Sequence, residues 1–249
     1  MDLGLKNYEY SYRNAKGKPV FAPSAEGREI GRKVKELVSE AVEFDSIYYH
    51  LKPGAHVSAL HAHRDNTWFS RIDLKNYFYS ISRNRINREL RGIGVRHHER
   101  FSKWSTVRNP YETPSYSLPY GFVQSPILAT LAFQNSAVGT LLRDMPAEVT
   151  VSVYLDDIGL SSSNPDLLRK AHHATLRAVE ESNFVVNMDK TAAPSDQMVL
   201  FNCDLTHASA NVRAERIDEF FSTERSEPSA SAFLAYCEAV SAGNLTLDG

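Results

Sequence analysis

The sequence is poor in cysteine, in excess charge and in long apolar runs, and each shortage removes a class of protein. Only Cys203 and Cys237 occur among 249 residues, without the paired spacing of a zinc site or a disulfide framework, so a reducing compartment is expected. Nowhere do about 18 apolar residues follow one another, so no membrane-spanning helix is expected. Met1 to Tyr8 lack a basic segment followed by an apolar one, which points to a cytoplasmic protein rather than an exported one. The formal net charge is -2 and the pI is near 6.5, so binding to nucleic acid would have to use a local basic surface. Neither an internal repeat nor a low-complexity tract is present. What remains is a globular chain with 42% hydrophobic residues, long enough for one large domain or two small ones.

The most informative stretch runs from Val149 to Ser161. Val149, Val151 and Val153 alternate with Thr150, Ser152 and Tyr154, which predicts a strand, and Ile158 and Leu160 predict a second one. Asp156 and Asp157 therefore sit at a hairpin tip. Two like charges between apolar strands are costly unless a cation neutralises them. A divalent ion would do so, and a plain surface turn remains open at this point.

Elsewhere the pattern predicts helices over 27–44 (with Ser24 as cap), 82–90, 125–142 and 165–181, the last with Pro165 at its first position. Shorter helices are expected near 59–62, 217–221 and 232–242, with 226–231 as a linker. Strands are expected at 47–51, 68–74, 184–186, 198–205 and 210–213, and a loop at 109–119, where Pro110, Pro114 and Pro119 fall. His56, His61 and His63 lack a Cys or carboxylate to complete a metal set, so packing or polar roles are expected. The segment from Arg83 to Lys103 is the most basic. Its Arg83, Arg85, Arg88 and Arg91 form either a solvated helix face or a phosphate-contacting surface.

Asp73, at the end of the predicted strand 68–74, joins Asp156 and Asp157 as a third carboxylate at a strand end. Magnesium prefers a few carboxylate oxygens plus substrate phosphates, and a pair of such ions can activate a hydroxyl and stabilise a departing pyrophosphate. The constellation therefore points to nucleotidyl transfer.

Four motifs in order make the chain similar to reverse transcriptases. Tyr154-Leu155-Asp156-Asp157 resembles the family's Tyr-x-Asp-Asp hairpin. Asp73 to Ile81, Asp-Leu-Lys-Asn-Tyr-Phe-Tyr-Ser-Ile, resembles its first palm motif in the bacterial retron and group II intron form. Leu118 to Pro126, Leu-Pro-Tyr-Gly-Phe-Val-Gln-Ser-Pro, resembles its Leu-Pro-Gln-Gly-x-x-x-Ser-Pro motif, and Asn187 to Thr191 its Asn-x-x-Lys-Thr motif.

The resemblance implies an α+β right-hand polymerase of fingers and palm, with an antiparallel palm sheet backed by helices and a minimal or truncated thumb. It divides the chain into fingers (1–68), the first palm motif (69–81), a basic fingers insertion (82–117), a palm carrying the Asp pair and a primer-gripping hairpin (118–225), and a linker with the start of a thumb (226–249). Asp73 and Asp156 would hold two magnesium ions, or manganese in their place, with the Leu74 carbonyl as a further ligand and Asp157 as support. Lys190 would donate a proton to the leaving pyrophosphate. Phe78 would favour deoxynucleotides by lying where a ribose 2′-hydroxyl projects. The resemblance places the backbone of Asn76 and Tyr77, Lys18, and the third-motif residues Tyr120, Gly121 and Gln124 around the nucleotide. Tyr120 stands where Gln is usual and offers a ring on which a base can stack.

The implied partners are a structured RNA template, a primer strand and deoxynucleoside triphosphates, with no membrane. A partner protein or a second copy would compensate for the acidic pI and a small thumb. The leading reading is an RNA-directed DNA polymerase allied to retron or antiphage defence enzymes. A template-independent or protein-primed polymerase of the abortive-infection type is the alternative, and an inactive nucleic-acid-binding scaffold is a third.

Overall fold

The computed structural model describes residues 6–245. Its first elements are the antiparallel strands β1 (Tyr8–Arg13) and β2 (Pro19–Pro23), then α1 (Ala25–Ala41), α2 (Ala55–His63), β3 (Trp68–Asp73) and the single turn α3 (Tyr77–Ser80). There follow α4 (Arg83–Gly92), α5 (His98–Trp104), the short strands β4 (Val107–Arg108) and β5 (Tyr116–Ser117), α6 (Ser125–Gln134) and α7 (Ala137–Arg143). Then come β6 (Thr150–Tyr154), β7 (Asp157–Ser162), α8 (Pro165–Glu181), β8 (Ala192–Ser195), β9 (Gln197–Leu200), β10 (Cys203–Thr206) and β11 (Ser209–Val212). Two helices, α9 (Ala214–Phe221) and α10 (Glu227–Ser241), complete the described residues.

These elements form two compact units, each drawn from separate stretches of chain. One takes the residues up to 45 with 75–140 and 179–185; the other takes 46–74, 141–178 and the residues from 186 onward.

In the first unit Ser24 caps α1, its hydroxyl accepting from the Gly27 amide at 3.0 Å, and α1 buries Val34 and Val38. Phe21, Tyr79, Val107 and Phe122 make a small core against which Tyr120 packs. The one helix expected over 125–142 is two. The chain breaks at Asn135 and Ser136, where Ser136 turns its hydroxyl back onto the Phe133 carbonyl at 2.5 Å. Gly139 makes the break possible, because a Cβ there would meet the Phe133 carbonyl oxygen at 2.2 Å. The loop expected over 109–119 is narrower, since Arg108 and Tyr116 pair in the β4–β5 hairpin.

In the second unit β3 lies inside an antiparallel sheet of order β6-β7-β3-β8, which explains why Trp68 to Asp73 reads as an apolar run without alternation. A separate sheet of order β11-β10-β9 packs Met198, Leu200, Cys203 and Leu205 against Leu60, Phe69 and Val240. The strand expected over 198–205 is cut in two by Phe201 and Asn202, both left-handed at φ 55 and 61. The expected strand at 47–51 is a lone bridge from Tyr48 to Val153 followed by a 3₁₀ turn over Tyr49–Leu51. Only Val186 of the expected strand at its position pairs in this unit, with Leu74. The linker expected over 226–231 is the first part of α10; Pro228 is tolerated there because its missing N–H would have had no partner. His63 is fully buried with its ring nitrogens 2.7 Å from the Ser152 and Ser161 hydroxyls, and burial pushes its pKa down to about 4.

Candidate active site

The β6–β7 hairpin turns on two residues, Leu155 and Asp156, because Tyr154 pairs with Asp157. Leu155 takes the left-handed conformation at φ 56. Directly across the next strand pair, Asp157 faces Asp73. The Leu74 amide donates to the Asp156 carbonyl at 2.8 Å, so Asp73, Asp156 and Asp157 all stand at one end of the sheet in the second unit.

Asp73 is 3% exposed and is wrapped by the Asn187 to Thr191 motif. Asn187 Nδ2 donates to Asp73 Oδ1 at 2.7 Å, and the Asn187 amide donates to the Asp73 carbonyl at 2.8 Å. The Thr191 hydroxyl accepts from the Asp73 amide at 3.2 Å. Lys190 Nζ reaches to 4.0 Å of Asp73 Oδ2 from a half-exposed position. The motif's spacing is thereby explained: residues one, four and five of it contact one carboxylate residue.

Arg71, two residues before Asp73 and on the same strand face, binds Asp157 through Nε at 2.7 Å and Nη2 at 2.5 Å, with Nη2 3.6 Å from Asp73. One guanidinium thus neutralises two carboxylates that face each other across the sheet. Burial nevertheless raises the Asp157 pKa to about 6, with Arg71 pulling it down and Asp156 and Asp73 pushing it up. Beside this cluster a cleft of about 560 Å³ is lined by Arg71, Lys190, Thr191, Val199 and Asp204.

Among the described residues no three His, Cys, Asp or Glu side chains form a ready-made metal cage. The donor set still suits magnesium, a hard ion that takes one or two carboxylates plus substrate phosphates rather than a complete protein shell. Asp73 and Asp156 are the carboxylates whose place at the sheet end fits it; Asp157 already has Arg71 as its cation.

In the first unit Phe78 meets Tyr120 edge to face at 4.7 Å, and Tyr79 meets Tyr120 at 5.6 Å. Lys18 Nζ bonds the Tyr120 hydroxyl at 3.2 Å and lies 5.1 Å from its ring centre. Lys18, Phe78 and Tyr120 therefore form one cluster, in which the partly buried Tyr120 ring backs Phe78. Gly121 adopts φ 104, and a Cβ there would lie 2.2 Å from the Phe21 carbonyl, so Gly is needed for the close approach of β2. Asn76 is left-handed at φ 50 ahead of α3, and the buried Tyr77 gives its hydroxyl to the Ala129 carbonyl at 3.1 Å.

Two expected contacts are corrected. Gln124 is 1% exposed; its amide lies over Gly31 and 3.4 Å from the Ser105 hydroxyl, a packing position opened by the missing Gly31 side chain. Arg85 turns inward, giving hydrogen bonds to the Ala132 carbonyl at 2.8 Å and the Ser182 carbonyl at 3.1 Å while stacking over Phe184. Arg83 holds the Thr106 hydroxyl at 2.8 Å and covers Tyr116, whereas Arg88 and Arg91 are exposed. Arg71 belongs to none of the four motifs, and its position two residues before Asp73 is the one sequence signal that the two share a strand face.

Solved structures share this fold. Apo telomerase from Candida tropicalis matches over 97% of this chain and 54% of its own, with TM-score 0.62 and 11% identity. The foamy viral protease-reverse transcriptase in complex with double-stranded DNA matches over 91% of this chain and 34% of its own, with TM-score 0.54 and 18% identity. The same viral protein with RNA/DNA hybrid gives 91%, 26%, 0.53 and 17% in the same order. The chain thus spans between about a quarter and about a half of these proteins' lengths. No significant match exists among curated proteins. The fold is that of a polymerase with fingers and palm. The model of the reverse transcriptase (RNA-dependent DNA polymerase) family matches residues 13–212, and the chain belongs to that family.

Proposed function

We propose that the chain is an RNA-templated DNA polymerase that joins deoxynucleotides through two divalent ions. The observation that carries this reading is the convergence on Asp73 of the strand end, the Asp156 turn and the Asn187–Thr191 motif. When bound, the ions supply activation of the primer hydroxyl and charge neutralisation at the leaving pyrophosphate. Asp73 and Asp156 would hold them through carboxylate oxygens, with the Leu74 carbonyl adding a backbone oxygen. Asn187 holds Asp73 through Oδ1, and Oδ2 lies beside Arg71 and Lys190. Asp157 orients the turn through Arg71. Lys190 gives a proton to the leaving group, a role suited to a cation beside Asp73.

Phe78, backed by Tyr120, selects the deoxy sugar, and Lys18 meets the triphosphate as a point charge. The second unit is the palm. Exposed Arg88 and Arg91 contact the phosphates of a structured RNA template. The test is primer extension by the purified protein on an RNA template annealed to a DNA primer, with each deoxynucleotide alone and with all four. Products that follow the template sequence and vanish when the RNA is digested beforehand support the reading. Unchanged product after RNA destruction would establish template-independent synthesis instead.

A further inference from the structure

Leu155 is one of the residues in the second unit with a large side chain in the left-handed region. It holds φ 56 with a full side chain, a conformation that is unfavourable for residues other than Gly and persists only where the surroundings impose it. Two backbone contacts flank it. On one side the Leu74 amide holds the Asp156 carbonyl at 2.8 Å. On the other, the Leu155 amide donates to Nδ1 of His50 at 3.3 Å.

His50 belongs to a segment clamped against β6. The Val153 amide donates to the Ile47 carbonyl at 2.8 Å, Tyr48 bridges to Val153, and the Val153 carbonyl is a second backbone partner of the His50 ring. The ring also stands edge-on to Tyr154 at 5.7 Å and to Tyr48 at 6.2 Å. Tyr154 is hemmed in further by His56 at 6.1 Å and Phe201 at 5.2 Å. An Nδ1 that accepts must be unprotonated, so the ring is neutral with its proton on Nε2; burial, which lowers the pKa to about 4, keeps it so.

We propose that His50 is the positioning residue of the Tyr154–Asp157 turn, holding the Leu155 amide so that Asp156 is presented in one conformation. This rests on the polymerase reading above for its consequence in catalysis, but not for its geometry. His50 touches no reacting atom; it acts through the backbone of the residue before Asp156.

The test compares His50→Asn, whose side-chain oxygen falls where Nδ1 lies, with His50→Phe, which keeps a ring and removes the acceptor. Hydrogen exchange at the Leu155 amide, the apparent affinity for Mn2+ and the kinetics of primer extension are read in the full chain. His50→Phe is expected to exchange the Leu155 amide about tenfold faster or more, to weaken Mn2+ binding several-fold, and to lower kcat about tenfold or more at nearly unchanged KM. His50→Asn stays within about threefold of the parent on all three. If His50→Phe does not fold, His50→Gln takes its place, because its longer amide reaches the Nε2 position and misplaces the acceptor. Equal behaviour of the Asn variant and its comparator, or unchanged Leu155 exchange on losing the acceptor, would overturn the proposal. If the parent protein makes no DNA, the polymerase reading fails while amide exchange and Mn2+ binding still decide the role of His50.

Discussion

Arg71 grips Asp157 with two nitrogens, Nε at 2.7 Å and Nη2 at 2.5 Å, and the same Nη2 lies 3.6 Å from Asp73. An internal cation therefore stands between two carboxylates that oppose each other across β3 and β7. It fixes Asp157 as an ion-pair partner of the protein itself.

Removing that cation should cost stability in the absence of metal. Arg71→Met leaves Asp73 and Asp157 facing each other without compensation, and the expected loss is about 2 kcal/mol, below the range for fully buried pairs because some solvent reaches the site. Saturating magnesium should recover part of it by mass action. Urea unfolding with and without magnesium measures both; an unchanged midpoint would show that Arg71 does not neutralise the site.

Asp157 also sets a pH dependence of stability. Its pKa is about 6 in the folded chain against 3.8 for the free group, so the native state holds the proton more tightly. Its contribution is complete below about pH 4 and is lost as pH rises through 6. Without metal, the unfolding free energy of the parent should fall between pH 4 and 6 relative to Asp157→Asn, which cannot ionise. A flat difference between the two curves over that window would contradict the buried, proton-binding Asp157.

The cluster of Lys18, Phe78 and Tyr120 makes two separable predictions. Phe78→Ala should raise ribonucleotide incorporation roughly tenfold or more, by opening the space a 2′-hydroxyl needs. Tyr120→Phe keeps the ring against Phe78 and frees Lys18, so the KM for deoxynucleotides should change several-fold with sugar selection intact. Competition between dATP and ATP in single-nucleotide extension reads both effects.

The arginines of α4 should divide by direction. Arg85→Ala removes bonds to two carbonyls and a stacked ring, so it should lower the unfolding temperature by several degrees. Arg91→Ala, at an exposed position, should leave stability alone and weaken RNA binding in a salt-dependent way, whereas Arg88→Ala also removes the ion-pair partner of the buried Glu89. Thermal unfolding and filter binding at two salt concentrations distinguish the two classes.

Much of the frame was legible because period and punctuation are local signals. The β6–β7 hairpin, β3, Ser24 as a cap and Pro165 at the head of α8 follow from alternation, apolar runs and capping chemistry. The errors in the frame arose where the backbone departs from the residue types that usually mark a break or a turn. The break at Asn135 needs Gly139 to nestle on a preceding turn, the Phe201–Asn202 turn uses left-handed residues without Gly, and α10 absorbs a Ser- and Pro-containing segment as its first turn. At the site, the carboxylates and the Asn187–Thr191 motif could be read from sequence. The inward turn of Arg85, the burial of Gln124 over Gly31 and the hold of His50 on Leu155 could not, since each depends on partners far along the chain.

The central claim is that Asp73 and Asp156 form the catalytic centre with Asp157 in support, and extension of a DNA primer on an RNA template with magnesium, by the parent and three single variants of matched stability, tests it most directly. Asp73→Asn and Asp156→Asn should each abolish product, and Asp157→Asn should retain a measurable rate. Extension by Asp156→Asn at the parent rate would contradict the account.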